Sequence, residues 1–436
     1  MLGCRSARSL VAYLDQFIVG QAEAKRSLAI AVTDRSRRMR IADEALRRAI
    51  VPSNILLLGP TGCGKTEVAR RLARKVEAPF VKVVATKYSE VGFVGEDTSG
   101  MIEELAEQAY ADEVAKLKIE VHHDARQIAL DEVTAALVVS RNCTREDAQA
   151  MVERGLVDGE EIELDLEPTL EGSELVSART LLGPVRPAIR PRKNSGRPIT
   201  VAQALKSLSD RSAAQLLRTR EQDLKERAKE SVEQRGIVFI DEFDKMISDR
   251  SEEGSSFNQK RRGVEKELLT LIEGTSVVTK KLGPINTDHI VFICAGAFSS
   301  VSPKQIMPEL QGRLPIRCTM KALSEDDLFQ ILESIEYSLP RTQRELLFVD
   351  GVELAFTECG LRELARSAVA MNKQLVNTGA RRLTTVMGIV LEEIKFSVED
   401  RFGERVVVDA SFVKERFRAS LEPGFGKVED LRRFVL

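Results

Sequence analysis

The chain alternates short apolar runs with longer stretches in which apolar residues recur at helical spacing. Short apolar runs are typical of buried parallel strands, and the longer period is typical of amphipathic helices. The pattern therefore predicts an α/β fold built on a five-stranded parallel sheet flanked by helices. The strand runs are Ile55 to Leu58, Phe80 to Val84, Ile237 to Ile240, Ile290 to Ile293 and Ile316 to Met320.

A stretch of different composition, residues 98–230, separates the second and third strand runs. It opens with charged helical sequence and continues with alternating acidic and apolar residues at 160–167, which predict an exposed strand. A basic, proline-dotted run at 184–198 predicts a mobile, solvated loop, and its lack of aromatic residues argues against a nucleic-acid surface. Helical sequence resumes near Ala202, so we expect an inserted, mostly helical intermediate domain.

After about residue 321 the sequence reads as a helical C-terminal subdomain. We expect helices over Asp326 to Glu333, Leu361 to Asn372 and Arg381 to Lys395, followed by a short strand over Arg405 to Val408. The predicted division is a nucleotide-binding part of residues 1–97 and 231–320, an insertion of 98–230, and a C-terminal part of 321–436.

The first residues allow two interpretations. Residues 1–14 carry Arg5 and Arg8 and no acidic residue, as organelle-targeting peptides do. A helical stripe across the same stretch favours an ordinary first helix instead. The stripe comprises Leu10, Val11, Leu14, Phe17 and Ile18.

Composition narrows the class of protein. The 436 residues are too many for one core, and the net charge of -2 gives no reason to expect a nucleic-acid partner. No apolar run is long enough to span a membrane. The six cysteines are scattered without a C-x-x-C pair, which fits a reducing compartment, either bacterial cytosol or mitochondrial matrix.

The most specific motif directly follows the first strand run and precedes a helical pattern. It fits the P-loop signature G-x-x-x-x-G-K-[ST], whose backbone N–H groups and helix N-terminus capture phosphate. Lys65 would reach the β- and γ-phosphates of ATP, and the Thr66 hydroxyl would bind Mg²⁺. The candidate nucleotide-binding set here is Gly59, Pro60, Thr61, Gly62, Cys63, Gly64, Lys65, Thr66 and Glu67.

Two carboxylates follow the third strand run and have the Walker B pattern. Asp241 is predicted to hold Mg²⁺ and Glu242 to polarise the water that attacks the γ-phosphate. The alternative is an acid pair that caps a helix, and the presence of the P-loop favours the Walker B interpretation over it.

Three further segments have both a functional and an ordinary interpretation. Arg313, on a predicted Gly-Arg turn, suits a finger that reaches a neighbour's γ-phosphate, or a surface ion pair. Arg381, at a predicted helix start, suits a second phosphate contact, or a solvated turn. Phe93 lies in a glycine-flanked loop that suits either a gripping paddle or a buried anchor. That loop is Gly92, Phe93, Val94 and Gly95.

As a set, motifs along nearly the whole chain resemble the HslU (ClpY) family of AAA+ unfoldases. The position of the insertion and the C-terminal tail are the features most specific to that family. The remaining matching segments are Ile18-Val19-Gly20-Gln21, the P-loop, the Gly-Phe-Val-Gly loop, Walker B, Thr287-Asp288-His289-Ile290, Gly296-Ala297-Phe298, Gln311 to Arg317 and Gly379 to Leu383.

The resemblance implies a homo-hexameric ring that uses ATP and Mg²⁺ to unfold protein substrates and thread them into an HslV-type threonine peptidase. The chain would be an ATPase and not itself a peptidase, with no nucleic-acid or membrane partner. By that similarity Ile18 and Val19 would contact adenine, Phe93 would line the pore, Arg313 would act in trans and Arg381 in cis. The tail residues Phe434, Val435 and Leu436 would dock on the peptidase.

Three positions depart from the family pattern. Phe93 stands where the family has Tyr, so the ring remains and the hydroxyl is lost. Cys63 would place a thiol near the phosphates, open to oxidation or alkylation. The segment Cys294-Ala295-Gly296 after the fourth strand run lacks the Asn or Thr that many AAA+ proteins use as first sensor, so that role stays unassigned.

Other functions stay open at this point. A ClpX-type unfoldase shares the core motifs, but it would begin with a zinc domain and carry a different docking loop. A DNA-remodelling motor would need a basic face. A nucleotide switch without hydrolysis would not need Glu242 or Arg313.

Overall fold

The computed structural model describes residues 6–89, 98–164, 197–247 and 256–419. The chain forms two compact units, one of Met1–Ala109 with Lys229–Leu436 and the other of Tyr110–Ala228. The first contains the main sheet and the C-terminal helices, and the second lies within the predicted insertion. The predicted division at residues 97, 230 and 320 stays a prediction.

The described helices are α1 (Ala7–Asp15), α2 (Ala22–Arg38), α3 (Glu44–Ala49), α4 (Lys65–Lys75), α5 (Thr86–Ser89), α6 (Gly100–Arg141), α7 (Arg145–Glu153), α8 (Val201–Thr219), α9 (Glu221–Arg235), α10 (Ser256–Glu273), α11 (Pro308–Arg313), α12 (Glu325–Ser334), α13 (Leu339–Val349), α14 (Glu358–Gln374), α15 (Arg381–Phe396) and α16 (Ala410–Ala419). The described strands are β1 (Ile55–Leu58), β2 (Phe80–Val84), β3 (Glu161–Leu164), β4 (Arg197–Thr200), β5 (Ile237–Asp241), β6 (Ser276–Thr279), β7 (Gly283–Asn286), β8 (Val291–Gly296), β9 (Ile316–Thr319), β10 (Glu353–Phe356) and β11 (Arg405–Val408).

The main sheet has five strands in the order β2-β5-β8-β1-β9, and every neighbouring pair is parallel. The side chains of β1, β5 and β8 are almost all buried, because helices cover both faces of a parallel sheet. This burial explains why the three runs are continuously apolar. The predicted five-stranded parallel sheet is confirmed, although β8 extends further, to Gly296.

The first helix belongs to the core of the sheet. Ser6 caps α1 by accepting a hydrogen bond from the Ser9 N–H, and Leu10 and Leu14 are buried one turn apart. Phe17 and Ile18 continue into the same cluster beyond the end of the helix. The helical interpretation of this stripe is therefore confirmed over Ala7–Asp15, and residues 1–5 lie outside the described part.

The C-terminal helices enclose a second apolar cluster within the same unit. The three helices predicted there are present as α12, α14 and α15, and the predicted strand is β11. Strand β11 pairs in parallel with β10, which the sequence did not predict. In this part of the chain Arg382 is 1% exposed, and its guanidinium donates to the Val376 carbonyl and to Asn372 Oδ1.

The second unit combines helices with one small antiparallel sheet, β3 with β4. The predicted acidic strand is confirmed over Glu161–Leu164, but its description as exposed was wrong because Ile162 is 2% exposed and packs in an apolar cluster. Residues 165–196, which include most of the basic run, lie outside the described part. The end of that run forms strand β4, which pairs with β3, and helix α8 begins directly after it.

Within the described ranges, no helix has both the length and the apolar character needed to cross a membrane.

Candidate nucleotide-binding site

The P-loop begins where β1 ends between its two neighbours. The Gly59 N–H donates to the Gly296 carbonyl of β8 at 3.1 Å, and the Met320 N–H donates to the Leu58 carbonyl at 2.7 Å. Gly62 and Gly64 then adopt φ angles of 74° and 99°, a left-handed conformation that glycine reaches without strain. The loop leads into α4, whose N-terminus is the kind of site that binds phosphate.

Two side chains at the start of α4 face the loop and the end of strand β5. Lys65 is 8% exposed, and its ammonium donates to the carbonyls of Gly59 and Pro60 at 2.5 and 2.9 Å. The Thr66 hydroxyl lies 3.3 Å from Asp241 Oδ2 at the end of β5. The two motifs predicted from the sequence therefore meet at one edge of the sheet.

Glu242 follows Asp241 in a left-handed conformation, with a φ of 55°. For a residue other than glycine this conformation costs on the order of 1–3 kcal/mol, and such strain concentrates at functional sites. The Glu242 N–H donates to Asp241 Oδ1 at 3.1 Å, which fixes the turn. The carboxylate of Glu242 is exposed beside Asp241, as a water-orienting base requires.

These residues surround a cavity of about 500 Å³. Nine residues of the predicted site line it: Thr61, Gly62, Gly64, Lys65, Thr66, Glu67, Asp241, Glu242 and Arg381. Five residues that were predicted to bind the nucleotide are not among the described residues that line the cavity: Ile18, Val19, Gly59, Pro60 and Cys63. The roles assigned to these residues stay predictions.

The C-terminal part of the chain touches the P-loop through backbone atoms. The Ala380 N–H donates to the Gly62 carbonyl at 3.1 Å. A Cβ on Gly62 would lie 1.9 Å from the Thr378 carbonyl oxygen, and a Cβ on Gly379 would lie 2.6 Å from the Gly62 carbonyl oxygen. The two backbones can approach so closely only because both positions are glycine. This approach brings Arg381, at the start of α15, to the cavity.

Asn372 holds the same turn from the other side. Its Oδ1 accepts from the Thr378 N–H at 3.1 Å, and its Nδ2 donates to the Gly379 carbonyl at 3.2 Å. The turn is therefore fixed both to the P-loop and to helix α14.

The donor set fits Mg²⁺ together with a nucleotide. Mg²⁺ prefers oxygen ligands, and it is usually held by one or two protein carboxylates with substrate phosphates and water. The Thr66 hydroxyl and the Asp241 carboxylate provide hard oxygen donors 3.3 Å apart, beside a glycine loop open to phosphate.

Arg313 lies away from this cavity. It ends helix α11 instead of lying on a turn, and β9 follows it. Ile316 of β9 is aligned with Ile55 of β1, so Arg313 lies near the amino ends of strands whose carboxyl ends carry the P-loop. The strand of four residues between those two edges is about 13 Å long, at about 3.3 Å per residue.

Within its own chain, Arg313 forms a surface ion pair, which is the alternative to the finger in the sequence analysis. Its guanidinium is half exposed and lies 3.2 Å from Glu273 Oε1, and its carbonyl accepts from Asn54 Nδ2 at 3.2 Å. Asn54 Oδ1 also accepts from the Phe292 N–H of β8 at 2.9 Å, so the start of the sheet fixes this segment. A surface ion pair leaves the arginine available to another chain.

Cys63 differs from the expectation of a thiol open to reagents. It is 3% exposed and belongs to the apolar core beneath the loop. Burial raises the pKa of its thiol, although nearby Lys65 opposes the shift. A buried, protonated thiol is a poor nucleophile, so we correct the prediction of an oxidation or alkylation liability.

Eight residues that line the cavity were not among the predicted site residues: Arg70, Lys82, Asp244, Lys245, Gly296, Ala297, Ser299 and Ala380. A signal existed for Lys82, since it is the only charged residue in an apolar strand, Phe80–Val84. The predicted pore loop, Gly92 to Gly95, and the predicted docking residues, Phe434 to Leu436, lie outside the described residues.

Comparison with protein families matches two AAA family models to this chain, over ranges that each include part of the predicted insertion. The family described as "ATPase family associated with various cellular activities (AAA)" matches residues 55–157. The family described as "AAA domain (Cdc48 subfamily)" matches residues 173–317.

Comparison with whole proteins gives relatives that are similar over almost their full length. An ATP-dependent protease ATPase subunit HslU of Rhodospirillum centenum is 42% identical over 441 residues, covering 99% of both chains. A protein of the same name from Cereibacter sphaeroides is 40% identical over 438 residues, covering 98% of this chain and 99% of its own.

The close contact between the P-loop and the turn before α15 should be needed for tight nucleotide binding. Gly379→Ala places a methyl group against the Gly62 and Thr61 carbonyls, at a φ of 60° that alanine disfavours. We expect nucleotide affinity to fall about tenfold, which corresponds to about 1.4 kcal/mol. Titration with a fluorescent ADP analogue measures this change.

Gly388→Ala is the matched control for this prediction. Gly388 lies in the same helix α15, and a Cβ there meets no atom within 4 Å. Nucleotide affinity should stay at the wild-type value in this variant. Wild-type affinity in Gly379→Ala as well would contradict the role of the contact.

Proposed function

This chain belongs to the HslU family of ATP-dependent protease ATPase subunits, and from that membership we propose that it unfolds protein substrates and delivers them to an HslV-type threonine peptidase. It is an AAA ATPase. One observation carries the proposal: Lys65, Thr66, Asp241, Glu242 and Arg381 line one cavity at the carboxyl edge of a parallel sheet.

The side chains of the cavity divide the chemistry of ATP hydrolysis between them. Lys65 would leave the loop carbonyls to bind the β- and γ-phosphates, and Thr66 and Asp241 would hold Mg²⁺. When bound, Mg²⁺ neutralises charge on the phosphate oxygens. Glu242 orients the attacking water and accepts its proton, and Arg381 contacts phosphate from the C-terminal part.

The position of Arg313 supports a ring of identical subunits. An arginine at the amino edge of the sheet does not reach the phosphates at the carboxyl edge of its own chain. A neighbouring copy can receive it in a head-to-tail contact, and such contacts between identical chains form a ring when the rotation between copies closes. We propose that the ring is a homo-hexamer in which Arg313 of each subunit acts on the nucleotide of the next.

The parts of the chain that would handle substrate and peptidase remain proposals from the resemblance. Phe93 would grip the substrate in the pore, and Phe434, Val435 and Leu436 would dock on the peptidase. We propose a cytoplasmic location and no nucleic-acid or membrane partner, in keeping with the net charge of -2. No finding supports the mitochondrial alternative.

The first test of this function uses an HslV-type peptidase and a small fluorogenic peptide. We expect the full chain with ATP to activate the peptidase, and a chain lacking residues 431–436 to fail while its ATPase rate is retained. The truncation removes the apolar anchors and the terminal carboxylate that would dock. ATP hydrolysis by both chains with activation by neither would contradict the partner assignment.

The second test asks whether Arg313 acts between subunits. Glu242→Gln and Arg313→Ala should each lower hydrolysis by about 10³-fold or more when assayed alone. Mixed rings should recover part of the rate, because an Arg313→Ala subunit beside a Glu242→Gln subunit has its own Glu242 and its neighbour's Arg313. ATP hydrolysis measured across mixing ratios shows this recovery.

A double variant carrying both substitutions, mixed with Glu242→Gln, is the matched control. It supplies no active Glu242, so it should restore no activity at any ratio. If the two single variants also restore nothing, although sedimentation shows that they form mixed rings, Arg313 does not act in trans.

A further inference from the structure

Asn54 is a buried polar residue at the amino edge of the main sheet. It is 4% exposed and directly precedes Ile55, the first residue of β1. Strand β1 lies between β8 and β9 and ends at the P-loop. Burying an amide is costly unless its oxygen and its nitrogen are both hydrogen-bonded, so the partners of Asn54 show what the side chain holds.

Three hydrogen bonds of Asn54 join it to three other segments. Its Oδ1 accepts from the Phe292 N–H of β8 at 2.9 Å, and its carbonyl accepts from the Ile316 N–H of β9 at 3.4 Å. These two bonds belong to the sheet. The third leaves the sheet, because Nδ2 donates at 3.2 Å to the carbonyl of Arg313, the last residue of α11. Only an amide side chain provides both this donor and the acceptor for β8.

The backbone of Arg313 is fixed, whereas its side chain is held only at the surface. Leu310 and Leu314, on either side of it, are both fully buried, and Asn54 holds its carbonyl. The guanidinium is half exposed and pairs with Glu273, which is itself 44% exposed, and ion pairs of this kind contribute little. An arginine that acts on another chain needs a fixed base, because a displacement of about 1 Å can cost about 10²-fold in rate.

We propose that Asn54 is the positioning residue for Arg313: by holding the Arg313 carbonyl, it sets where the guanidinium reaches the nucleotide of the neighbouring subunit. The inference rests on the trans role of Arg313 proposed above. Strand β1 then carries the chain's own phosphate loop at one end and the support of the neighbour's arginine at the other. A defect at Asn54 therefore lowers hydrolysis in the neighbouring subunit and leaves nucleotide binding in its own subunit intact.

Asn54→Asp separates the two side-chain hydrogen bonds. It keeps an oxygen that accepts from the Phe292 N–H and loses the N–H that donates to Arg313. We expect kcat for ATP hydrolysis to fall about tenfold, the value of one hydrogen bond, while KM and the affinity for a fluorescent ADP analogue stay within about twofold of wild type. Combined with Arg313→Ala, the substitution should cause no further loss of kcat, because both changes remove the same function.

Mixed rings show which subunit's hydrolysis depends on Asn54. Asn54→Asp mixed with Glu242→Gln should hydrolyse ATP faster than the weighted mean of the two, because the Asn54→Asp subunit keeps its own Glu242 and receives a well-placed arginine from its neighbour. Asn54→Asp mixed with Arg313→Ala should give only the weighted mean, because neither subunit supplies a well-placed arginine. A defect confined to the subunit's own nucleotide site predicts the reverse pattern.

Two further variants serve as controls. Glu273→Gln removes the exposed partner of the same guanidinium and should keep kcat within about twofold of wild type. Asn54→Ala removes both side-chain hydrogen bonds and should give the same mixing pattern as Asn54→Asp. Its affinity for the ADP analogue shows whether its nucleotide site has folded.

Three results would overturn the inference: wild-type kcat in Asn54→Asp, loss of nucleotide binding in both Asn54 variants, or recovery with Arg313→Ala instead of Glu242→Gln. The last two would mean that Asn54 only supports the site of its own chain. Arg313→Ala is mixed with Glu242→Gln first. If these two restore no activity in mixed rings, the trans role of Arg313 fails and the inference fails with it. If they do, the Asn54 mixtures test the inference alone.

Discussion

The parallel alignment of β1, β5 and β8 is the constraint on which the nucleotide site depends. Because parallel strands end at the same edge, the P-loop after β1 and the acids after β5 meet there, with Thr66 3.3 Å from Asp241. The same alignment places Arg313 at the opposite edge, before β9. On the function proposed above, such a chain would hold nearly all of the groups needed for hydrolysis and would present Arg313 to a neighbour.

A second constraint connects this edge to the C-terminal helices. The P-loop and the turn before α15 approach so closely that Gly62 and Gly379 are both required to be glycine. Since Arg381 follows that turn, a movement of the C-terminal helices changes the loop and the arginine together. This direct backbone contact suits an ATPase that converts the state of its nucleotide into movement of a second subdomain.

The sheet and the place of the two acids after β5 could be predicted from the sequence because both depend on local patterns. Buried parallel strands are continuously apolar, and the P-loop and Walker B signatures are short. Strand β10 was missed because its four residues, Glu353–Phe356, include no β-branched residue, whereas the equally short β11 has three valines. Helix α11 was missed because its six residues include Pro308 and Gly312. The place of Lys82 depends on which strand pairs with β2, and burial of Cys63 depends on packing under the loop, neither of which a local pattern contains.

We infer that one chain binds nucleotide but needs a neighbour to hydrolyse it. The most direct measurement is ATP hydrolysis per chain across a dilution series, with assembly followed by sedimentation in the same buffer and binding of a fluorescent ADP analogue measured in parallel. We expect hydrolysis per chain to fall as the assembly dissociates, while each separate chain still binds the analogue. Full hydrolysis by the separated chains would contradict it.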